Sequence, residues 1–153
     1  MLRTLIERCV RIKAEIVAAD ERESGRRALL NLGHTFAHAI ESISELKVRH
    51  GEAVSIGLMA AAHCAVKTGR LTADQHNHIE QVLTTFGLPI RLPSPVDEQR
   101  LLAAMRHDKK ATQGRTQLIL PTGVGGAELV GDVPVEVVAA GWAGVGASVV
   151  PTA

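Results

Sequence analysis

The sequence predicts a mainly α-helical domain with one small β-hairpin. Apolar residues recur at three- and four-residue steps almost without interruption from residue 2 to residue 107, which is the period of amphipathic helices. Two short β-prone runs then flank a glycine-rich turn near residues 116–130. A chain of 153 residues is long enough to bury its own core, so we expect a single domain over residues 1–153.

Composition narrows the possible functions. The formal net charge of +1 gives no reason to expect nucleic acid or an anionic membrane as a partner. Only Phe36, Phe86 and Trp142 are aromatic besides histidine, which is too few for a base-stacking surface. The longest apolar run is too short to span a bilayer, and no secretory signal opens the sequence. Cys9 and Cys64 stand in no metal-ligand spacing, so we expect a reduced, cytoplasmic protein.

The first predicted helix covers residues 1–19. Its apolar side is formed by residues at helical spacing: Leu2, Leu5, Ile6, Cys9, Ile12, Ile16 and Val17. Lys13 lies close to this stripe, and its position alone favours a solvated lysine. A charged connection over residues 20–26 follows, with Gly25 as the helix breaker.

The second predicted helix is continuous over residues 27–45. At 100° per residue, six polar side chains fall within an arc roughly 80° wide. These six are Arg27, Asn31, His34, His38, Glu41 and Glu45. Gly33 lies in the middle of this helix, where glycine costs about 1 kcal/mol relative to alanine. Its presence indicates that something approaches the backbone closely.

The third predicted helix, residues 51–67, is apolar on nearly every side and is therefore expected to be central and buried. His63 within it is expected to be a core or boundary histidine. Thr72 then caps a further amphipathic helix that ends near Phe86. His76 and His78 are two residues apart and cannot share a helical face, so both are predicted at the surface.

The last third of the sequence predicts shorter elements. Prolines exclude a helix over residues 88–96, and a short helix follows over residues 97–107. Two short strands, residues 117–121 and 128–130, surround a glycine-rich turn. A final helix is expected to run from Pro134 to Trp142.

Three histidines, His34, His38 and His50, carry the most specific chemical signal. Neutral imidazole is the commonest protein ligand for zinc, and catalytic zinc sites commonly use three protein ligands. The four-residue spacing lets His34 and His38 point at one place, and His50 can return there if the next helix packs antiparallel. Spacing leaves open whether a metal takes His34 with His38 or His34 with His50. Scattered solvent histidines are the less favoured interpretation, because the same face carries Asn31 and Arg27.

Four separated segments resemble the 3-dehydroquinate synthase family, in the family's order. They are Lys-Ala-Glu-Ile-Val-Ala-Ala-Asp-Glu-Arg-Glu from Lys13, Leu-Asn-Leu-Gly-His-Thr-Phe-Ala-His-Ala-Ile-Glu from Leu30, His-Gly-Glu-Ala-Val-Ser-Ile-Gly from His50, and His-Asp-Lys-Lys from His107. The resemblance covers nearly the whole chain but only the helical C-terminal domain of the family's fold. It implies that the family's N-terminal NAD-binding domain is absent from this chain.

The resemblance also implies a role for eight residues. His34 and His50 match two of the three ligands of a zinc or cobalt ion. The third family ligand is a glutamate with no counterpart here. His38, Lys13 and Glu23 match catalytic positions, with His38 contacting substrate rather than metal. Substrate-binding positions are matched by Arg27, Asn31 and Lys109, and such cations suit a phosphorylated sugar-acid substrate.

The implied reaction converts 3-deoxy-D-arabino-heptulosonate 7-phosphate to 3-dehydroquinate and phosphate, with transient oxidation by NAD, in the shikimate pathway. We expect the full-length enzyme to be a homodimer. We expect this chain alone to be inactive, to bind zinc weakly or not at all, to bind no NAD, and to cover exposed apolar surface by self-association.

Three alternatives remain open. Another sugar-phosphate cyclase, such as a 2-deoxy-scyllo-inosose or valiolone-type synthase, would share the metal histidines. A metal-dependent alcohol dehydrogenase of the glycerol dehydrogenase type would oxidise an alcohol without releasing phosphate. The Asp-Glu-Arg-Glu and Asp-Lys-Lys segments count against that second possibility. The third alternative is a helical domain without catalytic function.

Overall fold

The computed structural model describes residues 2–20, 26–108 and 116–148 of the chain. These residues form six α-helices, two 3-10 helices and one two-stranded antiparallel sheet. The predicted fold class, mainly α with a small hairpin, is therefore confirmed. The chain divides into two compact units, Met1–Asn31 and Leu32–Ala153. The single domain expected over residues 1–153 stays a prediction.

The first unit contains helix α1, Leu2–Ala19, and a 3-10 helix, Arg26–Asn31. The backbone N–H of Arg27 donates to Oδ2 of Asp20 at 3.0 Å, which ties the 3-10 helix to the end of α1. No residue of α1 is buried. The predicted helix is present, and large apolar side chains along it are exposed: Leu2, Leu5, Ile6, Val10 and Ile12.

The continuous helix predicted over residues 27–45 is wrong. Helix α2 begins only at His34 and ends at Glu41, and a second 3-10 helix follows at Ser44–Leu46. Gly33 interrupts the pattern at the N-cap of α2 with φ 81°, a left-handed conformation that glycine adopts without a Cβ penalty. The six polar residues therefore do not share one helical face.

The close backbone approach expected at Gly33 is confirmed. A Cβ atom on Gly33 would lie 2.8 Å from the backbone nitrogen of Leu58. A Cβ atom on Gly57 would overlap the carbonyl oxygen of Gly33. Glycine at both positions lets the start of α2 pack backbone to backbone against the helix that contains Gly57.

That helix is α3, His50–Lys67, and it is the centre of the second unit. Most of its residues are buried, as its nearly uniform apolar sequence predicts. It packs against α2, against α4, Ala73–Thr85, against the first strand and against the last helix. The backbone N–H of Arg49 donates to Oε2 of Glu52 at 3.0 Å, which fixes the first turn of α3 immediately beside His50.

The remaining elements close the core around α3. They are α5, Glu98–Asp108, β1, Leu118–Gly123, β2, Gly126–Val130, and α6, Val135–Gly144. Trp142 of α6 packs edge-on against Phe36 with ring centroids 4.9 Å apart. Its indole N–H donates to the sulfur of Met105 at 3.2 Å. Within the described ranges, no helix has both the length and the apolar character that crossing a bilayer requires.

The local signals around α4 are confirmed in part. The hydroxyl of Thr72 accepts from the backbone N–H of Gln75 at 3.2 Å, as a capping residue should. His78 is exposed, as expected. His76 is only partly exposed, which corrects the prediction of a surface residue: its ring packs 4.4 Å from that of His63 and its Nε2 atom is buried. Its partner lies on a different helix, which spacing along α4 could not reveal.

Candidate functional site

Three histidine rings meet where α2 packs against α3. His34 is the first residue of α2, His38 lies one turn later, and His50 is the first residue of α3. The ring centroids of His34 and His50 are 5.5 Å apart, and those of His34 and His38 are 5.9 Å apart. His34 is thus in contact with both others, and we call these three residues the histidine cluster. The Gly33–Gly57 approach packs the start of α2 closely against α3.

Two members of the cluster have an oxygen acceptor beside Nδ1. Nδ1 of His50 lies 3.0 Å from Oε1 of Glu41, the last residue of α2. Nδ1 of His34 lies 3.4 Å from the carbonyl oxygen of Leu32, which is a longer contact. The side chain of His50 is 59% exposed and that of Glu41 is 32% exposed. The outer part of the His50 ring is therefore open to solvent.

The contact between Glu41 and His50 is the feature that sequence reasoning missed. The polar arc of one long predicted helix offers Glu41 as a possible substitute metal ligand but does not indicate a contact with His50. The two residues are nine positions apart and meet only because α2 ends at one and α3 begins at the other. A sequence-level signal would have been the helix break itself, which brings a helix end and a helix start together.

A second carboxylate near the cluster is engaged elsewhere. Oε1 of Glu52 accepts from Nε of Arg49 at 3.0 Å. Hydrogen bonds from Arg49 lower the pKa of Glu52 below its ordinary value. Glu52 is thus the partner of Arg49 at the start of α3.

The cluster suits a metal ion in part. Imidazole nitrogens bind zinc at about 2.0–2.1 Å, so rings in contact can share one ion. Across the part of the chain that the structure describes, no group of three or more histidine, cysteine or acidic residues is arranged to hold a metal. At most two of these imidazoles could therefore share one ion, and a third protein ligand would have to come from outside the described residues. The two ring distances do not choose between His38 and His50 as the partner of His34.

Cys64 adds neither a ligand nor a nucleophile to this site. Cys64 is buried in α3, and its thiol donates to the carbonyl oxygen of Val137 at 3.2 Å. Burial raises the pKa of Cys64 to about 12, so it stays a neutral thiol. Cys9 lies on α1 in the other unit and is exposed.

The other predicted site residues fall outside the cluster's unit or outside the described ranges. Lys13 is exposed on α1, and Arg27 and Asn31 belong to the 3-10 helix that follows. These three residues lie in the first unit, whereas the histidine cluster lies in the second. Glu23 and Lys109 lie outside the described residues.

Comparison with protein families gives one match over most of the chain. The model of a family described as 3-dehydroquinate synthase C-terminal matches residues 1–111. That range contains the whole histidine cluster and every residue to which a catalytic or binding role was assigned from the sequence.

Curated relatives agree. The 3-dehydroquinate synthase of Synechococcus sp. (strain ATCC 27144 / PCC 6301 / SAUG 1402/1) is 44% identical over 135 residues, covering 88% of this chain and 37% of the relative. The 3-dehydroquinate synthase of Vibrio atlanticus (strain LGP32) is 46% identical over 136 residues, covering 88% of this chain and 38% of the relative. The chain thus spans under two fifths of the length of these relatives.

Solved structures share the fold. A 2-deoxy-scyllo-inosose synthase complexed with carbaglucose-6-phosphate, NAD+ and Co2+ superposes with a TM-score of 0.80 at 24% identity, over 90% of this chain and 40% of that one. A 2-epi-5-epi-valiolone synthase from Streptomyces hygroscopicus subsp. jinggangensis 5008, with NAD+ and Zn2+ bound, gives a TM-score of 0.78 at 28% identity, over 90% of this chain and 38% of that one.

Proposed function

Since this chain belongs to the 3-dehydroquinate synthase family and matches its C-terminal domain, we propose that it forms the metal- and substrate-binding part of such an enzyme. The complete enzyme converts 3-deoxy-D-arabino-heptulosonate 7-phosphate to 3-dehydroquinate and phosphate in the shikimate pathway, which leads to aromatic amino acids. The histidine cluster, inside the matched range, is the observation that supports a site of this kind most directly.

We assign His34 and His50 as two ligands of a zinc or cobalt ion. Their ring centroids are 5.5 Å apart, and each ring has an oxygen acceptor at Nδ1 that leaves Nε2 for a metal. The valiolone synthase with the same fold has Zn2+ bound. When bound, the ion acts as a Lewis acid on the substrate hydroxyl that is oxidised.

We assign His38 to the substrate rather than to the metal. It lies next to His34 on the exposed side of α2, so it can hold or move a proton beside the bound substrate. Arg27, Asn31 and Lys109 are proposed to bind the phosphate and carboxylate of the substrate through charge-assisted hydrogen bonds. Lys13 and Glu23 complete the proposed catalytic set.

The remaining parts of the enzyme lie beyond the matched segment of the relatives. We propose that NAD is bound mainly by the region of the complete enzyme N-terminal to the matched segment, so these 153 residues alone neither bind NAD nor turn over substrate. The complete enzyme is proposed to be a homodimer in the cytoplasm. Both cysteines are free thiols, which is consistent with a reducing compartment.

One other sugar-phosphate cyclase activity is supported by a specific observation. The valiolone synthase is 28% identical to this chain and superposes over 90% of it. The curated relatives at 44–46% identity are 3-dehydroquinate synthases, which favours the heptulosonate as substrate. Activity on a heptulose 7-phosphate that lacks the carboxylate separates the two activities. With this substrate, the proposed cationic residues bind only the phosphate and no carboxylate.

The test is a chimera in which this chain replaces the matched C-terminal region of the Synechococcus enzyme. We expect it to release phosphate from 3-deoxy-D-arabino-heptulosonate 7-phosphate in the presence of NAD and Zn2+, and His34→Ala to abolish that release. The carboxylate-free heptulose phosphate should be a poor substrate. A folded chimera that prefers the heptulose phosphate would replace the proposed function with the valiolone-type activity, and one that releases no phosphate from either would contradict both.

A further inference from the structure

We propose that Glu41 is a positioning residue that fixes the tautomer and orientation of His50, an inference that rests on the proposed metal site. The carboxylate of Glu41 lies 3.0 Å from Nδ1 of His50. Glu41 is neither assigned as a metal ligand nor as a substrate contact. Its role would be to decide which ring nitrogen of His50 faces outward without a proton.

The tautomer follows from hydrogen-bond chemistry. An ionised carboxylate can only accept, so the atom of His50 that faces it must donate. That requirement puts the ring proton on Nδ1 and leaves Nε2 with a free lone pair. Metal-bound histidines almost always donate their other ring N–H to a carboxylate or backbone carbonyl, which fixes the ring and raises its basicity.

His34 shows the same arrangement with a weaker acceptor. Its Nδ1 atom faces the carbonyl oxygen of Leu32, but at 3.4 Å, beyond the usual range for an N–H to oxygen bond. Both proposed ligands therefore turn Nδ1 toward a protein oxygen, and the rings are 5.5 Å apart. Because the Glu41 contact is shorter and its acceptor is charged, Glu41 should control its histidine more firmly than Leu32 does.

The location of Glu41 favours positioning over stabilisation of the fold. The side chains of Glu41 and His50 are 32% and 59% exposed, and exposed ion pairs contribute little to folding. Removing the Glu41 carboxylate should therefore leave thermal unfolding nearly unchanged. The changes are expected in the His50 ring and in metal affinity, which a merely structural residue would not alter selectively.

The experiment compares Glu41→Ala, Glu41→Gln and a matched control. Glu45→Ala removes a nearby carboxylate that pairs instead with Arg100, at 3.1 Å. Nitrogen-15 NMR of the imidazoles, without metal and at a pH well above the usual histidine pKa, reads the tautomer of His50 directly. Isothermal titration with Zn2+ alone, on the chimera that supplies the third ligand, reads the affinity.

We expect His50 to carry its proton mainly on Nδ1 in the unmodified protein and in Glu41→Gln, whose amide oxygen still accepts. Glu41→Ala should shift the proton toward Nε2 and weaken zinc binding about 10–100-fold, the usual cost of removing an outer partner of a metal-bound histidine. Glu41→Gln should weaken binding less, because it restores the hydrogen bond without the charge. Glu45→Ala should change neither readout.

Contrary results would overturn either the positioning role of Glu41 or the proposed metal site. If His50 carries its proton on Nε2 in the unmodified protein, or if Glu41→Ala leaves the tautomer unchanged, the positioning role is wrong. Equal zinc affinity for Glu41→Ala and the unmodified protein would also overturn it. If Glu41→Gln loses as much affinity as His50→Ala, Glu41 is itself a ligand. If zinc binding survives both His34→Ala and His50→Ala, the proposed metal site fails, whereas the tautomer measured without metal still reports on Glu41.

Discussion

Helix α3 presents histidines in two contrasting environments. At its first residue, His50 is exposed, touches His34 and has the carboxylate of Glu41 at Nδ1. Thirteen residues later, His63 is half-buried against His76 of α4, with ring centroids 4.4 Å apart. Nε2 of His76 is buried, and no hydrogen-bond partner for it is present among the described residues. His63 and His76 are both half-buried, and because their rings cover each other we call them the buried pair.

The contrast shows that environment, rather than residue type, separates a candidate ligand from a packing residue. His34 and His50 of the histidine cluster each have a protein oxygen beside Nδ1, which leaves Nε2 for a metal. In the buried pair, burial is the main cause that lowers the pKa of His63, and repulsion by His76 adds to it. His63 therefore stays neutral near pH 7 and serves as a packing residue.

The largest effect on stability is expected from a substitution at the Gly33–Gly57 contact, which packs α2 against α3. Gly57→Ala would place a methyl group on the carbonyl oxygen of Gly33, a backbone atom that cannot move aside cheaply. Overpacking of this kind costs about 1–3 kcal/mol and occasionally more, and the rigid obstacle places this case at the upper end. Chemical denaturation should show that loss of stability, and the His34–His50 distance should increase.

Gly51→Ala is the matched control for that prediction. Gly51 lies in the same helix, and a Cβ atom there meets nothing within 4 Å. Alanine should be neutral or stabilising by up to about 1 kcal/mol, the propensity difference between the two residues. If Gly57→Ala proved as mild as Gly51→Ala, the backbone contact would not be what holds the cluster together.

A smaller effect on stability is expected when the pH is lowered, because His63 of the buried pair then takes up a proton. The pKa of His63 is lowered from 6.5 in the folded protein, so the unfolded chain binds the proton more readily. Stability from this group is fully present above about pH 6.5 and is lost as the pH falls below that value. Denaturation curves recorded from pH 8 down to pH 5 measure the decline.

The substitution His76→Gln tests whether His76 contributes electrostatically to this pH dependence. It removes the repulsion from His76 but keeps the burial of His63, so the decline below pH 6.5 should become shallower without disappearing. Glu80, which raises the pKa of His63, and Arg91, which lowers it, remain as the other charges acting on this ring. An unchanged or steeper decline in His76→Gln would show that the pair is not electrostatically coupled.

The sequence correctly predicted the helices and strands whose ends are set by contacts between residues close in the sequence. Thr72 and Gln75 cap α4 through contacts three residues apart, and the turn before Gly126 closes the hairpin as expected. The apolar sequence of α3 likewise required a central position. In each case the determining interaction is short in sequence or is the burial pattern itself.

The missed features depend on contacts between distant segments. Polar and apolar residues keep their helical spacing through the 3-10 helix and past Gly33. The sequence pattern therefore does not show that the helix breaks at Gly33, where Gly57 packs closely against the backbone. The ring of His76 packs against that of His63, and Glu41 contacts His50 from the end of the preceding helix. Periodicity along one helix contains none of these three pairings. The roles of Lys13, Arg27 and Asn31 stay predictions.

We propose that His34 and His50, rather than His38, hold the metal. The most direct measurement is zinc affinity by isothermal titration of the chimera carrying His34→Ala, His38→Ala or His50→Ala, with His76→Ala as the control from the buried pair. We expect His34→Ala and His50→Ala to lose tight zinc binding. Their loss of affinity should exceed the loss of about 10–100-fold that is usual when an outer partner of a metal-bound histidine is removed. His38→Ala should keep zinc but lose turnover, and His76→Ala should keep both. Loss of zinc in His38→Ala together with retained zinc in His50→Ala would contradict the assignment.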